Sequence, residues 1–170
     1  MNLRQLGEDR LIERFVSHLP TGQHVMAGAG DDCAVVRMPR KDNLLLFKTD
    51  CVVEGVHFLP KASAPDVGWK AMMRPLSDFA AMSGLPQFAL ITLVVSPTKK
   101  VSWTTHLYRG LHQAASEFEV SIVGGETSAT SGPAMISVSV TGVVEENRWV
   151  ARSGGQVDDE LFVTGRLGGS

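Results

Sequence analysis

The stretch Phe88-Ala89-Leu90-Ile91-Thr92-Leu93-Val94-Val95, bounded by Pro86 and Pro97, decides the fold class. Eight apolar and β-branched residues between prolines are too few for a typical helix and predict a buried strand. Helical patterns flank it. Upstream, Pro65-Asp66 opens a helix, with proline and an acid both suited to the first turn. That helix carries Trp69, Met72, Met73, Leu76, Phe79, Ala80 and Met82, and stops at Gly84. Pro75 lies inside it. An interior proline costs a helix about 3 kcal/mol, so a kink or a break is predicted there. Downstream, residues 103–118 read as an amphipathic helix with Leu107, Leu111, Ala114, Ala115 and Phe118 on one face.

Further out, strands surround this helix–strand–helix core. Met135-Ile136-Ser137-Val138-Ser139-Val140-Thr141 alternates, which predicts a half-buried strand over residues 134–144 with one polar face. Residues 148–150 are expected to pair with it. Ser121-Ile122-Val123 is a short strand that leads into Gly124-Gly125-Glu126. Residues 44–47 form a buried strand that continues into Lys48-Thr49-Asp50, and Ala34-Val35-Val36 is a shorter one. Residues 40–43 are turn chemistry. Near the start, Leu11, Ile12, Phe15, Val16 and Leu19 recur at helical spacing, and Pro20-Thr21-Gly22 ends that helix. The order helix, strands, helix, strand, helix, strands gives a mixed α/β (α+β) fold.

Bulk properties bound the function. The 170 residues suffice for one domain with a real core, and 44% apolar with 20% charged residues is an ordinary globular composition. A formal charge of −2 offers no basic field for nucleic acid, and no apolar run reaches a membrane span, so neither is expected as a partner. Cys33 and Cys51 make no disulfide framework and read as buried free thiols, which predicts a cytoplasmic protein. The strand signal Asp159-Glu160-Leu161-Phe162-Val163-Thr164-Gly165 near the end, with no closing element after it, suggests an N-terminal domain or a fragment.

The chemistry-bearing residues are acids beside glycine turns or strand ends. Gly28-Ala29-Gly30-Asp31-Asp32 presents two adjacent carboxylates, which repel unless a cation joins them. Asp50 follows Thr49, and Glu126 follows Gly124-Gly125. Asp78 sits among Leu76, Phe79, Ala80 and Ala81, where an unpaired carboxylate is strongly disfavoured. Hard oxygen ligands suit magnesium rather than zinc, and magnesium on scattered carboxylates points to a polyphosphate substrate. Neither a P-loop nor a dinucleotide fingerprint is present. Plainer readings stand beside these. Asp78 has possible ion-pair partners in Lys70 and Arg74 on its own helix, His57 reads equally as a hydrogen-bonded strand-end histidine, Tyr108 as an amphipathic edge, and Arg152 as a solvated loop residue.

The motifs Gly28–Val35, Thr49-Asp50 with Glu54-Gly55-Val56-His57-Phe58, Lys70-Ala71 with Leu76-Ser77-Asp78-Phe79-Ala80-Ala81-Met82, Gly124-Gly125-Glu126-Thr127 and Arg152-Ser153-Gly154 occur in one order. In that order the chain resembles the thiamine-monophosphate kinase family of the aminoimidazole-ribonucleotide-synthetase superfamily. The resemblance implies a mixed sheet with helices on one face that pairs into a barrel at a homodimer interface. Residues 1–150 would be the N-terminal ATP/Mg-binding domain, and 151–170 the start of the connection to a C-terminal domain. It implies ATP-dependent phosphorylation of thiamine monophosphate to thiamine diphosphate with several Mg²⁺ ions. This chain by itself would then be inactive. By motif, Asp32, Thr49, Asp50, Asp78 and Glu126 would be metal ligands, with Asp31 either a further ligand or a neighbour that orients. Tyr108, Gly125, Glu126 and Arg152 would contact ATP, and His57 the thiamine phosphate. No protein nucleophile or base is implied, because the acceptor is already an anionic phosphate. Other ATP-using enzymes of the superfamily (synthetase, hydrogenase-maturation or selenophosphate type) or a non-catalytic nucleotide-binding module remain alternatives. The chain departs from the family pattern at Lys48, where Ser or Thr is usual, at Glu126 for Asp, at Pro75 for Asn and at Val157-Asp158-Asp159 for Pro-Gly-Asp.

Overall fold

A computed structural model describes residues 10, 13, 23–28, 31–38, 43–163 and 165. All but residue 13 of the helix expected over 11–19, the middle of the Gly28–Asp31 loop and most of the 40–43 turn lie outside them. Six strands form one mixed sheet: β1 (Val25–Ala27), β2 (Ala34–Arg37), β3 (Asn43–Val53), β4 (Leu85–Val95), β5 (Ser121–Ala129) and β6 (Met135–Glu145). Their spatial order is β1-β2-β3-β6-β4-β5. All neighbours are antiparallel except β4 and β5, which are parallel. Helix α1 (Ala64–Ala81) connects β3 to β4 and α2 (Val101–Glu117) connects β4 to β5.

Strand alternation sets the two faces of this sheet. On β3, Leu44, Leu46 and Val52 are buried beneath α1, and Lys48 and Asp50 follow the same alternation. Ile136, Val138 and Val140 of β6 and Ala89, Ile91 and Leu93 of β4 complete the sheet's contribution to the core. From the helices come Met72, Phe79, Leu107 and Leu111. The helices themselves cross tightly. A Cβ on Gly68 would lie 2.1 Å from the Leu107 carbonyl oxygen, and one on Gly110 would lie 1.9 Å from that of Pro65.

Several elements differ from expectation. Helix α1 continues through Pro75 without a break. Pro75 is itself buried, and Met72, Leu76 and Phe79 around it are buried too. Each such side chain contributes about 1.5–3 kcal/mol, enough to offset the proline. The left-handed residue that ends α1 is Ser83, at φ 58°, rather than Gly84. Gly84 donates its N–H to the Phe79 carbonyl at 2.7 Å, closing the six-to-one bond of a Schellman turn. Helix α2 ends the same way, with Glu119 at φ 56° and the Val120 N–H on the Ala115 carbonyl at 2.8 Å. That turn puts Val120 in the core and leaves Phe118, expected on the apolar face, exposed.

Strand β4 is not buried on both faces. Phe88 is 48% and Leu90 49% exposed, because α1 and α2 pack on the opposite side of the sheet. Strand β5 runs on through the two glycines instead of ending before them. Residues 148–150 form no strand; the Arg148 N–H closes a turn on the Glu145 carbonyl at 3.0 Å. Residues 159–163 form no strand either, and Leu161 is 98% exposed. Both cysteines are free, but only Cys33 is buried; Cys51 is partly exposed on the other face. Among the described residues, no helix is long and apolar enough to cross a membrane.

Candidate functional site

Beneath the helix layer, β3 and α1 bring the acids together. Lys48 and Asp50 are two apart on β3, so they share the helix-facing side. Arg74 and Asp78 are four apart on α1, so they share one helix face. The two faces meet in a cleft of about 240 Å³ lined by Asp32, Lys48, Asp50, Arg74, Ser77, Asp78 and Arg152. Lys48 Nζ lies 2.5 Å from Asp78 Oδ2 and 3.7 Å from Asp50 Oδ2. Arg74 Nη2 donates to Asp50 Oδ1 at 3.1 Å. Arg152 pairs through its guanidinium with Asp32. Asp31 Oδ1 accepts from the Asp32 N–H at 2.9 Å and the Arg152 N–H at 3.2 Å, so Asp31 holds both partners in place.

Three carboxylates and three cations thus line one cleft. Burial works to lower the Lys48 pKa, but the hydrogen bond to Asp78 and the charges of Asp78 and Asp50 overcome it, and the ammonium ends above its ordinary value. The Arg152 guanidinium is raised by its hydrogen bond to Asp32 and by that carboxylate's charge. Beneath the cleft, burial pushes the Cys33 thiol up to about 12; Asp78 adds to this and Lys48 opposes it. Cys33 is therefore a neutral, packed thiol and no nucleophile.

Asp78 pairs with neither Lys70 nor Arg74. Lys70 donates instead to the His57 carbonyl at 2.7 Å, and Arg74 serves Asp50. Sequence reasoning missed this exchange, although the two-residue spacing on β3 and the four-residue spacing on α1 would have indicated it. Glu54 was also missed. Its Oε1 accepts from Lys99 Nζ at 3.0 Å and its Oε2 from the Ala134 N–H at 3.1 Å. Those bonds hold its carboxyl below the ordinary glutamate range and tie the end of β3 to the starts of α2 and β6.

The remaining candidates lie elsewhere. Thr49 points to the helix-free face, where its hydroxyl bonds that of Ser139 at 2.9 Å. Glu126 pairs in register with Thr92, whose neighbours Ile91 and Leu93 are buried, so it also belongs to that face. Gly125 lies where a Cβ would be 1.8 Å from the Ile91 carbonyl oxygen, so only glycine lets β5 approach β4 there. Tyr108 lines a separate, wider cavity of about 570 Å³ with Leu93, Val95, Thr104, Thr105 and Thr127. His57 is a turn residue after β3, and its Nδ1 accepts the Val53 N–H at 3.1 Å.

The donor chemistry of the cleft suits magnesium unevenly. Asp32 is held by an arginine whose side chain is 64% exposed, an ion pair that costs little to exchange, and Asp31 takes only the backbone N–H of that arginine. Between Asp50 and Asp78 an ammonium already stands. Among the described residues, no three His, Cys, Asp or Glu side chains converge in metal-holding geometry.

Over 170 residues the chain is 38% identical to the thiamine-monophosphate kinase of Aquifex aeolicus, covering 100% of this chain and 52% of that protein. It is 39% identical over 153 residues to that of Rhodopirellula baltica, covering 86% and 48%. The chain spans about half the length of the curated relatives it matches. A solved structure described as AaThiL complexed with AMPPCP and TMP superposes with a TM-score of 0.82 at 36% identity, over 92% of this chain and 47% of that one. Residues 30–144 match the family model for the N-terminal domain of AIR synthase related proteins, and the chain belongs to that family.

Proposed function

We propose that the full-length protein transfers the γ-phosphoryl group of ATP to thiamine monophosphate, forming thiamine diphosphate. The observation that carries this reading is the β3–α1 cleft, where Lys48, Arg74 and Arg152 converge with Asp32, Asp50 and Asp78. The relatives named above as thiamine-monophosphate kinases support the choice of acceptor. So does the AMPPCP and TMP complex of AaThiL.

The chemistry asks for charge compensation and alignment rather than proton removal. An acceptor phosphate oxygen attacks the γ-phosphorus, the bond to the β,γ-bridging oxygen breaks, and ADP leaves with that electron pair. Two anions must be brought together, and Lys48, Arg74 and Arg152 offset their repulsion in a partly desolvated cleft. Arg152 would leave Asp32 to reach a phosphate, which its exposure allows. Asp31 and Asp32 would then hold magnesium, which supplies further charge neutralisation on the polyphosphate. Thr49 and Glu126 would serve a separate ion on the other face, Tyr108 and Gly125 the nucleoside side, and His57 the thiamine phosphate.

We assign residues 1–150 to nucleotide binding and dimerisation, and 151–170 to the path toward a second domain. The matched relatives, twice as long, support that division. The assembly would be a cytoplasmic homodimer paired through the helix-free sheet face. The test is ADP release by the full-length protein with magnesium and ATP. Thiamine monophosphate should elicit turnover and unphosphorylated thiamine should not. No turnover with the monophosphate would overturn the reading.

A further inference from the structure

We infer that Lys48 is a built-in cation that takes the place of one divalent ion between Asp50 and Asp78. This rests on the reading of the cleft as a metal-assisted phosphate site. Its ammonium lies 2.5 Å from Asp78 Oδ2 and 3.7 Å from Asp50 Oδ2, so it stands between two carboxylates contributed by different elements. The second oxygen of Asp50 is already committed to Arg74 at 3.1 Å. Lys48 projects from the middle of an eleven-residue strand paired along its length with β6, and its side chain is only 23% exposed. It is therefore held in the cleft rather than free to swing out. Nothing else among the described residues offers Asp78 a cation.

A divalent ion placed on Asp50 and Asp78 together would meet a like charge within a few ångströms, in a site where screening is weak. The ammonium satisfies both acids without drawing on free metal and still leaves donors toward a phosphate, since it has three. Asp32 is different: its arginine partner is exposed and displaceable, so metal binding concentrates on that side of the cleft. The cleft thus divides into a fixed-cation half on β3 and α1 and a metal-binding half on the loop before β2.

The test counts Mn²⁺ bound per chain, by equilibrium dialysis with electron paramagnetic resonance of free Mn²⁺, in full-length protein saturated with β,γ-methylene ATP. Lys48→Ala is expected to gain one Mn²⁺ per chain, with at least tenfold tighter binding at the added position. Lys48→Arg should keep the wild-type count. Asp78→Asn covers the case in which Lys48→Ala does not fold: with Asp78 serving Lys48, the Mn²⁺ count stays unchanged. Loss of one Mn²⁺ in Asp78→Asn would overturn the inference, as would equal counts and affinities in wild type and a folded Lys48→Ala. Binding of the nucleotide without any Mn²⁺ in every variant would overturn both this inference and the metal-assisted reading beneath it.

Discussion

At the scale of single residues, the pairing of charges is what the sequence concealed. Asp31, Asp32, Asp50 and Asp78 were legible as acids that need cations, because each has small or apolar neighbours. Their partners were not, since Lys48, Arg74 and Arg152 reach them across elements. Alternation on β3 placed Thr49 and Asp50 on opposite faces, a consequence that motif order alone passes over. Glu54 gives a direct test of the charge accounting. Its carboxyl is held low, first by the Ala134 N–H and then by Lys99, so its stabilising contribution is present above the ordinary glutamate pKa of about 4.3. That contribution is lost as the pH falls through its lower folded value. Glu54→Gln should therefore cost about 1–3 kcal/mol at pH 7 and much less near pH 3, read as urea midpoints. A difference constant across pH would contradict this.

At the scale of elements, periodicity located both helices and every strand of the sheet within the described residues, apart from β1. It failed where a neighbour decides the outcome. Pro75 stays helical because the side chains around it are buried against sheet and helix. Strand β4 read as buried throughout because sequence does not reveal which sheet face lacks a covering layer. The α1–α2 crossing is a close backbone approach, and its glycines gave no sequence signal. Gly110→Ala would drive a methyl group into the Pro65 backbone, where neither side has a rotamer to change. It should cost about 2–4 kcal/mol, measurable by thermal or denaturant unfolding. A neutral outcome would mean the crossing is looser than described. Gly155 has no neighbour within 4 Å at a built Cβ, and Gly155→Ala is the matched control.

At the scale of the molecule, among the described residues the sheet has one covered and one open face. Phe47 and Phe88 both pair in register with Thr141, and Leu90 with Ser139, so apolar side chains lie beside hydroxyls across the open side. A patch of this kind marks an interaction surface, and a second copy is the proposed occupant. Sedimentation equilibrium should give a dimer, and Phe88→Glu with Leu90→Glu should give a monomer with unchanged far-ultraviolet circular dichroism. A monomeric wild type, or a dimeric variant, would contradict that assembly. The β3–α1 cleft is where the polyphosphate of ATP is proposed to bind. The most direct measurement is calorimetric titration of the full-length protein with β,γ-methylene ATP, with and without magnesium, for wild type and Asp32→Asn. Magnesium should tighten wild-type binding at least tenfold, about 1.4 kcal/mol, and Asp32→Asn should lose most of that gain. Equal magnesium dependence in the two proteins would contradict the account.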